Sequence, residues 1–203
     1  MSSKDKISTE SFILASGSEI RKKILSDQGV TFSVIKPDLD EEDLKSSIKN
    51  LTFKQQTIRL ASAKAKEVSE KHCNNYVVGA DTMCVCDKKV FNKPGNLENA
   101  KNTLLFLSGK KHFLYSGSCI FLKGKSLWTH CETVTLKMKD LSKEEIISYL
   151  EKDKPFECSG SYRYESLGAD LFSRVLGSEF AIQGLAISPL LKAFKNLGLD
   201  IKD

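Results

Sequence analysis

No stretch of this sequence approaches the roughly 20 consecutive apolar residues that a membrane-spanning helix requires, and the opening MSSKDKISTE offers no apolar segment of the kind a secretory signal carries. The expectation is a cytoplasmic protein without a membrane partner, with residues 1–10 as a flexible lead-in. Histidine is scarce: His72, His112 and His130 have no partner at helical spacing and no H-E-x-x-H context, so each reads as structural or solvent-exposed. The six cysteines include no C-x-x-C pair, and Cys84 and Cys86 would point to opposite faces of a strand. That pattern argues against a shared zinc and for buried free thiols. There is also no internal repeat, low-complexity tract or linker, which leaves residues 1–203 as a single domain.

What is present is an ordinary globular balance, 40% hydrophobic and 28% charged, in a chain of 203 residues, long enough to bury a substantial core. The formal charge of +5 could serve nucleic acid, but the lysines are spread along the whole chain without interleaved aromatics. A solvated basic surface or a small anionic substrate accounts for it, and nucleic acid is not expected as a partner.

Along the chain, Phe12 to Ala15 reads as a short strand running into Ser16-Gly17-Ser18. Ile20, Ile24 and Leu25 then recur at helical spacing, with Ser18 as N-cap and Gly29 as the stop. Strand, small-residue turn and helix direct unpaired backbone N–H groups at one point, which suits a phosphate. Arg21 and Lys22 add charge there, but the spacing is neither Walker A nor G-x-G-x-x-G, and a plain βα connection has the same pattern. Residues 31–35 alternate as a second strand. PDLDEEDL follows, five carboxylates in six positions, read mostly as a solvated helix start of which one or two members could hold a hard cation. Ile58 to Val68 marks an amphipathic helix carrying Lys64.

A hairpin is predicted at DKK (87–89), a helix from Asn96 to Gly109, and two long strands, 112–122 and 126–138, joined at Lys123-Gly124-Lys125. Trp128, Val134, Leu136 and Met138 share a face of the second. Ser142 opens a capping box, SGSYRYESLGADLF reads as a ligand-approaching loop, and Ser188-Pro189 reads as an N-cap followed by proline at the first helical position. Helices alternating with strands before a long antiparallel hairpin give an α/β fold with a mixed twisted sheet, flanking helices and two lobes around a cleft.

One residue resists this bland reading. In VVGADTMCV, Asp81 lies between two apolar runs that both want to be buried strand, where an ionised carboxylate costs several kcal/mol unless it is paired, hydrogen-bonded or metal-bound.

Six segments, ILASGSEIRKKIL, PDLDEE, LASAKAKEV, VVGADTMCV, NKPGNLENAKNTLLFLSGKKHFLYSGSCI and GSYRYESLGADLFSRVLGSEFAIQGLAISPLLKAF, resemble in order those of the Maf-like nucleoside triphosphate pyrophosphatases, over nearly the full chain. The resemblance implies a two-lobed fold related to the inosine triphosphatase type, often homodimeric. The implied activity is hydrolysis of a nucleoside triphosphate to a monophosphate and pyrophosphate, with a divalent cation (Mg, Mn or Co) as cofactor. By the same resemblance Asp81 is the proton acceptor, Glu41 together with Asp81 holds the metal with Asp40 a weaker candidate, and Ser16, Arg21, Lys64 and Lys93 contact phosphates.

Departures from the family pattern bear on the substrate. Glu19 stands where a proline is usual, and Asn92 opens what is usually G-K-P. Three positions that track substrate choice match Ile20, Thr82 and Glu165. Thymidine/uridine-type members tend to carry Arg, Thr and Gln there, and 7-methylguanosine-type members an aromatic, Gln and Glu. This chain mixes the two, and KPFECSGSYRYES is more similar to the 7-methylguanosine group. A dTTP/UTP-type enzyme and a non-catalytic binding protein acting in cell division are the competing readings.

Overall fold

The computed structural model describes residues 12–199; the flexible lead-in expected at residues 1–10 lies outside the described residues. Seven strands form one mixed sheet: β1 (Phe12–Ala15), β2 (Ser33–Val34), β3 (Tyr76–Cys86), β4 (Lys89–Phe91), β5 (Lys111–Leu122), β6 (Lys125–Met138) and β7 (Phe172–Leu176). Hydrogen bonding runs β2-β1-β3-β5-β6-β7, with β4 on β3. The β1–β2 and β1–β3 pairs are parallel, and β3–β4 and β6–β7 antiparallel. The helices are α1 (Glu19–Asp27), α2 (Glu41–Ser47), α3 (Phe53–Lys71), α4 (Leu97–Leu107), α5 (Lys143–Asp153), α6 (Glu179–Ile182) and α7 (Ile187–Asn196), with a 3₁₀ turn at Leu167–Leu171. The mixed α/β class read from the sequence is the observed one.

The described chain divides into two compact units, 12–81 with 117–131 and 185–199, and 82–116 with 132–184. The first unit is an α/β layer structure whose central strands are covered on both faces, as parallel strands require. Phe12, Leu14, Tyr76, Val78 and Ala80 pack against Ile24 and Leu25 of α1 and Leu190 and Phe194 of α7. Ile13, Ala15 and Val77 take the opposite face with Ala61, Ala65 and Val68 of α3. The period of two along β3 therefore sends odd-numbered residues toward α3.

Gly79 lies on that α3 side. A Cβ there would stand 2.8 Å from Ala65 Cβ and 2.9 Å from Cys119 Sγ, and closer still to the Ala61 carbonyl oxygen. The missing side chain lets α3 lie directly on β3.

The second unit buries Leu104 and Leu107 of α4, Leu114 of β5, Val134, Leu136 and Met138 of β6, and Ile146 and Leu150 of α5. The β3–β4 hairpin turns at Asp87 and Lys88, with φ of +50° and +63°. These are the paired positive angles of a type I′ turn, here without glycine. Both bonds of the predicted capping box at Ser142 are present.

Three expectations need correction. Helix α7 starts two residues early, with Ala186 as N-cap, so Ser188 and Pro189 both sit inside its first turn; proline is tolerated there because those N–H groups lack intrahelical partners anyway. Ser18 occupies the α1 N-cap but makes no side-chain capping bond. Not every cysteine is buried, since Cys73 is exposed and Cys158 half-buried. No helix among the described residues is long and apolar enough to cross a membrane.

Candidate active site

In the first unit β1 leads through α1 to β2 on one side and, through α2 and α3, to β3 on the other. Such a reversal leaves a crevice beyond the carboxyl ends of the strands, where open α/β sheets bind ligands. The register pairs Ala15, the last residue of β1, with Gly79, so β3 runs on past its neighbour. Ala80 and Asp81 then stand beside the β1–α1 turn.

Asp81 shares the parity of Val77 and Gly79, which places it on the α3 side. On α3, Lys64 follows Ala61 by three residues and precedes Ala65 by one, so it lies on the stripe that packs on the sheet. The two meet: Lys64 Nζ donates to Asp81 Oδ1 at 2.6 Å, with the side chains 13% and 12% exposed. Glu41, the first residue of α2, approaches the same nitrogen at 3.0 Å and is 41% exposed. Asp40 just before it is the α2 N-cap, its carboxylate accepting from the backbone N–H groups of Glu42 and Asp43.

Arg21 closes the cluster from α1. Its guanidinium donates to Ser16 Oγ at 3.2 Å and to the Ala80 carbonyl at 3.0 Å. Burial pulls its pKa below the ordinary value, while the charges of Asp81 and then Glu41 pull it back up. Ser16 is itself buried and also accepts from the Ser18 N–H at 3.3 Å. The carboxylate of Asp81, out of place in an apolar run, is thus the paired kind, held between an ammonium and the field of the half-buried Arg21 guanidinium.

Five of the sequence-selected residues, Ser16, Arg21, Glu41, Lys64 and Asp81, are brought together in this way. Glu41 and Asp81, far apart along the chain, converge on one cation. This donor set fits a hard divalent ion: two carboxylates share a position now taken by an ammonium, and water and phosphate oxygens would complete the shell. No group of three or more His, Cys, Asp or Glu poised for a metal occurs among the described residues, so a closed protein cage of the structural zinc type is not what this site offers.

The remaining selected residues have other surroundings. Ile20 on α1 is half-buried and packs against the apolar core of the first unit. Thr82 is half-buried at the start of the second unit's part of β3. Lys93 belongs to the second unit, pairs with Glu157 at 3.3 Å and lines a cavity of about 330 Å³ with Lys89, Phe91, Asn99 and Phe106. Glu165, also in the second unit, lies 3.9 Å from Arg163 Nε. Sequence reasoning missed Tyr149 and Asp153 of α5, which hold Arg163; their four-residue spacing on a helix was the available signal.

Residues 11–197 match the family described as Maf-like protein. A nucleoside triphosphate pyrophosphatase of Legionella pneumophila is 42% identical over 185 residues, covering 91% of this chain and 92% of that protein. One from Nitrobacter hamburgensis is 36% identical, over 92% and 94%. A 7-methyl-GTP pyrophosphatase of Idiomarina loihiensis is 35% identical, over 93% and 95%. Among solved structures, the Staphylococcus aureus Ham1 protein aligns with a TM-score of 0.46 at 13% identity, over 92% of this chain and 98% of that one.

Proposed function

The chain belongs to the Maf-like protein family and is a nucleoside triphosphate pyrophosphatase, and we propose that it works with a divalent cation held by Glu41 and Asp81 and prefers a modified purine, 7-methyl-GTP being the substrate to try first. The observation that carries this reading is the convergence of Asp81 and Glu41 on Lys64, beside the half-buried Arg21.

Hydrolysis at the α-phosphorus forms a bond from water oxygen to phosphorus, breaks the bridge to the β-phosphate and releases pyrophosphate. A bound divalent ion supplies charge neutralisation on the phosphate oxygens and a more acidic water. Asp81 takes the proton of the attacking water, a task suited to a carboxylate fixed at a strand end. Lys64 and Arg21 offset charge gathering on the transferring phosphoryl group, and Ser16 Oγ, already bonded to Arg21, is oriented for a phosphate oxygen. Lys93, by its match to the family's phosphate-contacting position, is assigned to the polyphosphate as well. Glu165 is assigned to the base, since a carboxylate complements the N1–H and N2–H₂ donors of a guanine edge.

Thr82 favours a second reading, a dTTP/UTP preference, because thymidine/uridine-type members tend to carry threonine there. A panel of 7-methyl-GTP, GTP, dTTP and UTP, each with Mg²⁺, Mn²⁺ or Co²⁺ and with a chelator, separates the two. The expected result is pyrophosphate release that a chelator abolishes, fastest from 7-methyl-GTP. Release that survives chelation removes the metal from the proposal, and a pyrimidine preference removes the purine.

A further inference from the structure

The segment that carries Glu165 is built around one peptide unit. The Arg163 carbonyl accepts from Ser166 N–H at 3.2 Å and from Gly168 N–H at 2.9 Å, so residues 163–168 wrap around it. A Cβ on Gly168 would come within 2.7 Å of the Arg163 carbonyl carbon and 2.9 Å of its nitrogen. So tight a turn admits only glycine at that position.

The other side of Arg163 is fastened to α5. Its N–H donates to Tyr149 Oη at 2.9 Å, and Tyr149 Oη donates to Asp153 Oδ2 at 2.7 Å. One hydroxyl thereby satisfies a backbone donor and a carboxylate whose side chain is only 3% exposed. The Arg163 guanidinium lies between two carboxylates, with Nη1 4.0 Å from Asp153 Oδ1 and Nε 3.9 Å from Glu165 Oε1.

We propose that Tyr149 is a positioning residue for base selection: together with Asp153 it fixes the backbone and guanidinium of Arg163, and through them the place of the Glu165 carboxylate. This rests on the assignment of Glu165 to the base. Removing the hydroxyl leaves Arg163 N–H and Asp153 Oδ2 each without a partner. The buried Asp153 carboxylate then draws the guanidinium to itself and away from Glu165, and the turn loses its fixed point.

The test measures kcat and KM for 7-methyl-GTP, GTP, dTTP and UTP in the parent, Glu165→Gln, Tyr149→Phe and the double variant. Glu165→Gln and Tyr149→Phe should each narrow the spread of kcat/KM between the best and worst substrate by roughly three- to tenfold, and Tyr149→Phe should do so through KM, with kcat on the poorest substrate held within about twofold. The double variant should be no worse than Glu165→Gln alone, because both act through one carboxylate. If Glu165→Gln leaves the spread unchanged, the assignment of the base fails and the positioning role falls with it. If Glu165→Gln narrows the spread and Tyr149→Phe does not, or lowers kcat equally for all four substrates, only the positioning role is overturned. Should Tyr149→Phe not fold, Arg163→Lys is measured instead; it keeps the backbone bond, loses the guanidinium between the two carboxylates, and must narrow the spread for the role to stand.

Discussion

Lys64 and Asp81 in the first unit form an ion pair with side chains 13% and 12% exposed, whereas Lys93 and Glu157 in the second form one with side chains 63% and 80% exposed. The chemistry is the same and the consequence is opposite. A pair withdrawn from water loses its hydration and leans on its partner, so removing one member strands a charge and costs several kcal/mol. A pair in solvent is worth little, and either member can take another partner at small cost. The first unit therefore holds its charges in place before substrate arrives, which suits groups that must act on developing charge. The second keeps a lysine that can exchange Glu157 for another anion at small cost.

Four experiments press on that contrast. Asp81→Asn should lower kcat by roughly two to four orders of magnitude, the range of a lost general base, while circular dichroism and thermal unfolding report a folded protein, because Lys64 still has Glu41. An unchanged rate would sink the assignment. Gly79→Ala comes next. Its Cβ meets the α3 backbone at the Ala61 carbonyl, so it should cost about 1–3 kcal/mol in urea unfolding and also reduce turnover, because α3 carries Lys64. A variant as stable and active as the parent would show that the packing of α3 on β3 does not position the site.

The second unit also buries a titratable group, but an uncharged one. His112 is fully buried, with Nε2 3.0 Å from Tyr162 Oη, and burial pushes its pKa down from 6.5 to about 4. Between those values the unfolded chain binds a proton that the folded ring does not. The stability contributed by this ring is complete above about pH 6.5 and is lost as the pH falls toward 4. At about 1.4 kcal/mol per unit the whole effect is on the order of 3 kcal/mol. His112→Phe should flatten the slope of unfolding free energy between pH 6.5 and 4; an undiminished slope would assign it to other groups. The smallest effect is expected for Lys93→Ala, within about 0.5 kcal/mol of the parent in stability, with any loss of activity appearing in KM. A destabilisation comparable to that of Gly79→Ala would erase the contrast between the two ion pairs.

Local signals made much of this fold legible. The run FILA before three small residues, the hairpin at DKK and the capping box at Ser142 all act within a few residues, and the structure shows each. Thr52 and Gln55 form a second capping box whose local signal is the same, and sequence reasoning missed it. A serine followed by proline is a strong N-terminal signature, yet α7 begins before it, because Leu185, Ala186 and Ile187, all buried, bring the chain into the helix sooner.

From residue type and period alone the candidate site was legible only as a discord, and it was the family resemblance that named its members. The residues around Asp81 announced a charge without an evident reason, but nothing in the order of residues measured how near Glu41 or Lys64 would come. Residue type and period determined that Asp81 would lie on a strand and Lys64 on an amphipathic helix, because those preferences are settled by each chain segment for itself. Only the tertiary structure decided that the two would touch, because that depended on Gly79 letting α3 press against β3 and on β3 outrunning β1. Such contacts exist only once distant segments share one core.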